Sequence, residues 1–221
     1  MPMAKPQRRT QEERSAETRA RLVEATLDCL NERGYPRTTT AEIAERAGVT
    51  RGALNHHFPS KDALVVRAIE HLLKSATSDI RGLAASVRDG SLSLSDFVER
   101  LWDLFSGRLL LITLEHITEA RHNGVLREGL IPVVREFHAA LDRIWGDFFK
   151  GSHLDDREVQ TALNASLCLM RGMGMQQVLR DDPSYYRGLL DFWKSILADY
   201  SRRDHAQEER RPVRAGGSKE R

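Results

Sequence analysis

The chain has 221 residues, 40% apolar and 30% charged, with a formal net charge of +2. That length supports one or two folded units with a sizeable core, and a charge so near balance excludes a chain whose partners could be read from net charge alone. No run of 18 apolar residues and no charged-then-apolar leader occurs, which argues against membrane insertion or secretion and for a cytoplasmic protein.

In chain order, residues 1–14 are polar, basic and proline-containing and are expected to be a disordered arm. A first helix is predicted from about Ala16 to Arg33: Leu22, Val23, Thr26, Leu27 and Leu30 form one stripe, and Gly34 stands at a natural stop. "TTTAEIAERAG" is a short second helix, with Thr39 and Glu42 spaced as a capping box and Ile43 and Ala47 facing inward. After Gly48, Thr50 caps a third helix over Arg51–His57, anchored by Leu54 and Phe58. Pro59 and Ser60 end it and open a long fourth helix with a strong stripe from Leu64 to Leu73. Further helices are expected over Leu94–Phe105, Leu109–His122, Ile131–Lys150, Asp155–Leu179 and Pro183–Ser201, with Pro132 near a helix start. Residues 202–221 lack an apolar face and are expected to be a disordered tail. Alternating β-branched runs are absent, so the fold class is all-α. Cys29 and Cys168 both fall in apolar helical patterns and are expected to be buried thiols rather than a bridge.

The stretch "GVTRGALNHHFPSK", Gly48–Lys61, gathers Arg51, Asn55, His56, His57 and Lys61 on a helix of barely two turns. A helix, a tight glycine turn and a second short helix make a helix-turn-helix, whose second helix can enter the DNA major groove with its N-terminal residues first. Arg51 is in that first turn and can donate twice to guanine O6 and N7. Gly52 beside it suits close approach to DNA. Lys61 places a cation at a helix N-terminus, against the macrodipole, and a phosphate would relieve that conflict. His56 and His57 are adjacent and point about 100° apart, which is wrong for two metal ligands on one helix.

"TTTAEIAERAGVTRGALNHHFPSKDAL" resembles the DNA-binding domain of the tetracycline-repressor (TetR) family, through Thr39, Ile43, Ala44, Ala47, Gly48, Val49, Thr50, Gly52, Leu54, His57, Phe58 and Lys61. With the flanking helices the resemblance covers roughly residues 16–70. It departs at Asn55, where the family usually has a tyrosine on phosphate. Asn can still donate to phosphate, but it lacks the ring's packing. The resemblance implies Thr39 and Thr50 as caps near phosphates, Arg51 and Gly52 as base-proximal, and His57 and Lys61 as phosphate contacts. Asn55 and His56 complete the expected DNA-binding set.

The resemblance further implies a DNA-binding unit over 15–62 and a helical effector-binding and dimerisation unit over 63–201, whose last two helices pair with a second copy. Trp102, Phe105, Phe137, Leu141, Trp145, Met170 and Met173 are the candidate lining of an effector pocket, and they favour a mostly apolar ligand. Glu115, Glu119 and His122 share one helix face, read here as a polar face; no metal site and no cofactor are expected. No nucleophile elbow, phosphate loop or H-E-x-x-H occurs, so no catalytic residue is assigned and the chain is not read as an enzyme. The expected function is a ligand-responsive regulator, most simply a repressor. Its partners would be a near-palindromic double-stranded operator, a second copy of itself and a small-molecule effector. The alternative is a small-molecule- or metal-binding helical protein without sequence-specific DNA binding.

Overall fold

A computed structural model describes residues 10–148 and 156–208. Among these residues there are nine α-helices and no strands: α1 Gln11–Arg37, α2 Thr40–Arg46, α3 Arg51–His57, α4 Lys61–Arg88, α5 Leu94–Phe105, α6 Arg108–Ala120, α7 Gly124–Phe148, α8 Asp156–Gln177 and α9 Pro183–Glu208. The fold class is all-α, as expected. Residues 1–9 of the expected arm and 209–221 of the expected tail lie outside the described residues. The rest of both segments is helical or caps a helix, which corrects the sequence reading.

α1 starts five residues before the sequence suggests because Thr10 and Glu13 form a complete capping box. The Thr10 hydroxyl accepts from the Glu13 N–H at 3.2 Å, and the Glu13 carboxylate accepts from the Thr10 N–H at 2.7 Å. Leu22, Val23, Leu27, Cys29 and Leu30 are buried along its inner face. Gly34 breaks the helix at φ 72°, ψ 171°, and a short further turn containing Pro36 follows. That break buries Tyr35, and it buries Thr38, whose hydroxyl donates to the Gly34 carbonyl at 2.8 Å.

α2 packs against α1 and α3 against α2, with Ile43, Ala44, Ala47, Leu54 and Phe58 buried beneath them. α4 is the spine: it packs on α1 at one side and on α7 over much of its length. Gly129 makes that second packing close, since a Cβ there would lie 2.7 Å from Val66 Cγ2. α5, α6 and α8 close the core around Phe97, Leu101, Phe105, Ile112 and Met170.

Two further expectations are corrected. α7 begins at Gly124, seven residues before Ile131, because the Asn123 side chain accepts from the Leu126 N–H at 3.0 Å and caps it. Pro132 therefore sits inside the helix. Cys29 is buried, but Cys168 is exposed on α8.

Candidate nucleic-acid interface

The turn between α2 and α3 is built by two residues far apart in sequence. Gly48 adopts φ 63°, and the Arg21 guanidinium from α1 donates to the carbonyls of Ala47 and, at 3.0 Å, Gly48. These carbonyls end α2, where the helix dipole favours a cation. A Cβ at position 48 would lie 2.6 Å from Arg21 Nη2, so the glycine is needed both for its backbone and for the clamp. Two ion pairs fix α2 on α1: Arg46 with Glu32, through two bonds of 2.6 Å, and Arg33 with Glu42 at 2.6 Å. Glu42 thus serves Arg33. The Thr39 hydroxyl still accepts from the Glu42 N–H at 3.3 Å, and that is the only half of the expected capping box seen.

α3 is short, and its faces separate cleanly. Leu54 is buried within it and Phe58 is buried just past its end, while Arg51, Gly52, Asn55 and His56 are exposed. Positions 51, 52, 55 and 56 lie on one helical face, so one outward surface carries a guanidinium, a bare backbone, an amide and an imidazole. Thr50 caps the helix, its hydroxyl accepting from the Ala53 N–H at 3.1 Å. A methyl at Gly52 would meet only Thr50 Oγ1 at 3.8 Å, so nothing inside the chain requires a glycine there. A glycine within a helix costs up to about 1 kcal/mol relative to alanine, and close approach from outside gives it a reason.

His57 is half-buried, edge-on to His56 with ring centroids 5.4 Å apart. Burial, then His56 and then Arg19 push its pKa below the usual imidazole value. That favours the neutral ring, and an adjacent phosphate would shift it back toward the charged form. Arg19, on α1, is part of this surface, and no motif in the sequence points to it.

Lys61 is placed differently from the sequence expectation. Its ammonium donates to the Tyr35 carbonyl at 2.6 Å and lies 3.9 Å from the centre of the Tyr35 ring. Burial pushes its pKa down, and Asp62 and Glu119 partly restore it. The conflict with the macrodipole is thus eased inside the chain, by a carbonyl, an aromatic face and the neighbouring Asp62. A phosphate contact through this side chain requires it to leave that seat.

Around Tyr35 a polar junction joins α1, α4, α6 and α7. The Tyr35 hydroxyl donates to Asp62, and the Asn123 amide donates to Asp62 at 3.1 Å and to the Tyr35 hydroxyl at 3.2 Å. His116 packs edge-on against Tyr35, with centroids 5.9 Å apart, and is buried. Burial depresses the pKa of His116. The Glu115 carboxylate lies against Gly34, and Glu119 influences Tyr35 and Lys61. Glu115 and Glu119 therefore border this junction, while His122 is exposed; among the described residues no group of three or more His, Cys, Asp or Glu has a metal-binding arrangement.

The candidate effector-lining residues are mostly closed core. Phe105, Leu141, Trp145, Met170 and Met173 are each no more than 5% exposed, and Trp145 packs edge-on to Phe97. Only two of the seven border a described cavity. Trp102 stacks on Tyr186 in a cavity of about 340 Å³ between α5 and α9, and Phe137 lines one of about 280 Å³ between α4 and α7.

Comparison with known proteins agrees with this geometry. The family model "Bacterial regulatory proteins, tetR family" matches residues 22–68, which span α1 to the start of α4. The chain is 28% identical over 177 residues to the HTH-type transcriptional regulator CymR of Pseudomonas putida, covering 80% of this chain and 87% of that protein. It is 30% identical over 133 residues to an uncharacterized HTH-type transcriptional regulator of Mycobacterium bovis, covering 60% of this chain and 68% of that one. Its fold resembles the crystal structure of a transcriptional regulator from Rhodococcus, with a TM-score of 0.60 at 20% identity, covering 80% of this chain and 94% of that one.

Proposed function

Since the chain belongs to the tetR family of bacterial regulatory proteins and is a DNA-binding transcriptional regulator, we propose that it is a repressor that binds a near-palindromic operator as a homodimer and lets go when a small effector binds. The observation that carries this reading is the outward face of α3. Arg51 and Asn55 make no hydrogen bond or ion pair there among the described residues, over a base of buried Leu54 and Phe58. A face of unsatisfied donors on a well-capped helix suits base edges and phosphates.

In this reading residues 15–62 are the DNA-binding unit and residues 63–201 the effector and dimerisation unit. Arg51 reads a guanine, Gly52 admits the DNA backbone or a base edge, and Asn55, His56 and His57 contact bases or phosphates with Thr39 and Thr50 beside them. Lys61 acts through its helix end and, once released from Tyr35, through its ammonium. The second copy docks on α8, α9 and the turn between them, where Met175, Val178, Leu179, Phe192 and Ile196 are exposed. An effector shifts the balance between two spacings of the paired α3 helices by binding one spacing better than the other. The protein works where its operator is, in the cytoplasm.

Selection of bound duplexes from a random pool, followed by anisotropy at several salt concentrations, tests this. The expected result is a two-fold-symmetric site. Arg51→Ala should weaken its binding by about 1–3 kcal/mol and relax preference at one base pair per half-site. Enrichment of no sequence by folded dimer overturns the reading.

A further inference from the structure

The cleft between α4 and α7, about 280 Å³, has an apolar floor and a charged rim. Leu73 and Thr77 from α4 and Phe137 and Ala140 from α7 keep only 5–8% exposure, as floor residues do. The Thr77 hydroxyl already donates to the Leu73 carbonyl at 2.8 Å, so the floor is effectively apolar. The rim carries Glu70, Lys74, Arg81, Glu136 and Arg143.

These rim charges do not cancel. Glu70 accepts from Arg67 and from Lys74, both at 2.7 Å, and the charge of Glu136 also acts on Lys74. The two carboxylates are thereby matched by Arg67 and Lys74. Arg81 from α4 and Arg143 from α7 have no ion-pair or hydrogen-bond partner among the described residues. Two unpaired guanidiniums on different helices thus border one apolar-floored cleft.

We propose that this cleft is the effector site and that it takes a small organic monoanion: a carboxylate on an aromatic or branched apolar body. The inference rests on the ligand-responsive reading above. A guanidinium fork matches a carboxylate with two parallel donors, and an apolar floor with a few polar groups is the usual lining of a small-molecule site. Sites for drug-sized ligands start at about 300 Å³, so a cleft of this volume suits a body near one ring in size. A bare inorganic anion would leave the floor wet. The position also gives leverage. Gly129 and Val66 hold α7 and α4 in close contact toward the α3 end, while the cleft begins about one turn further along α4, at Glu70, and reaches Arg81. A ligand seated there acts on the helix whose first residue, Lys61, lies within the proposed DNA-binding unit.

Isothermal titration of the full chain with benzoate and phenylacetate, against benzamide, phenylacetamide and sulfate, tests the proposal. The carboxylates should bind, and the amides and sulfate should bind about tenfold more weakly or not at all. Arg81→Gln and Arg143→Gln sit at exposed positions and should preserve the fold. Each should weaken carboxylate binding by about tenfold. Ala140→Leu should block the floor with the charges intact. Amides or sulfate binding as well as the acids, binding that survives the double Gln variant, or no binding of either carboxylate overturns the proposal. Carboxylate binding that leaves operator affinity unchanged overturns its role as the effector site. A neutral compound that releases operator from wild type and double variant alike keeps the regulator reading and overturns this cleft.

Discussion

Arg21 and Gly48 form one device, although 27 positions separate them. The guanidinium closes the end of α2 only because position 48 has no side chain in its way and can hold a left-handed backbone. Gly48→Ala should therefore lose about 2 kcal/mol, combining left-handed strain with a displaced clamp. Urea denaturation measures it. Gly82 is the control: it lies within α4, and a methyl added there would have nothing within 4 Å, so Gly82→Ala should gain up to about 1 kcal/mol. Half of this device is legible in the sequence. A glycine after a short capped helix announces a turn, whereas an arginine that answers backbone carbonyls from another helix leaves no periodic signal. Arg19 beside His57 is hidden for the same reason.

At the scale of elements, capping decides what can be read. α3 and α5 have the bounds expected from Thr50 and from the apolar pattern after Ser93, whose hydroxyl accepts from the Asp96 N–H at 3.0 Å. α7 is longer than expected because Asn-Gly reads as turn punctuation and Pro132 reads as a start, while Asn123 caps a helix that accommodates the proline on its exposed side. Cys168 follows the apolar rhythm of α8 but falls on its outer side. The candidate pocket lining was hard to sort for a related reason: aromatic and methionine residues at helical spacing line a cavity or fill a core equally well, and only the gaps between helices separate the two. Asn123 now has two duties, capping α7 and donating to Asp62 and Tyr35. Asn123→Ala should cost about 2 kcal/mol in urea denaturation, and Asn123→Ser, which retains a capping hydroxyl, should recover part of that.

Across the whole molecule, the exposed apolar residues of α8, α9 and the turn between them are where the proposed second copy would dock. Phe192 is 64% exposed and Leu179 95% exposed, while Trp193 is tied down by donating to the Ser166 hydroxyl at 2.8 Å. Phe192→Asp should raise the dimer dissociation constant about thirtyfold or more, seen by sedimentation, with little change in melting of the monomer. Operator binding should fall with it and become steeply dependent on protein concentration. The family fold was legible because the helix-turn-helix is written in caps and glycines. The proposed pairing surface shows in the sequence only as small and apolar residues late in the chain.

The junction of Tyr35, Asp62 and Asn123 ties the DNA-reading part to the rest of the chain, and a tie of this kind transmits in both directions. Whatever factor an effector takes from operator affinity, the operator must take from effector affinity. Protein already seated on DNA would then respond only at higher effector concentration than protein free in solution. In the ligand-responsive reading proposed above, loosening the junction would narrow that gap.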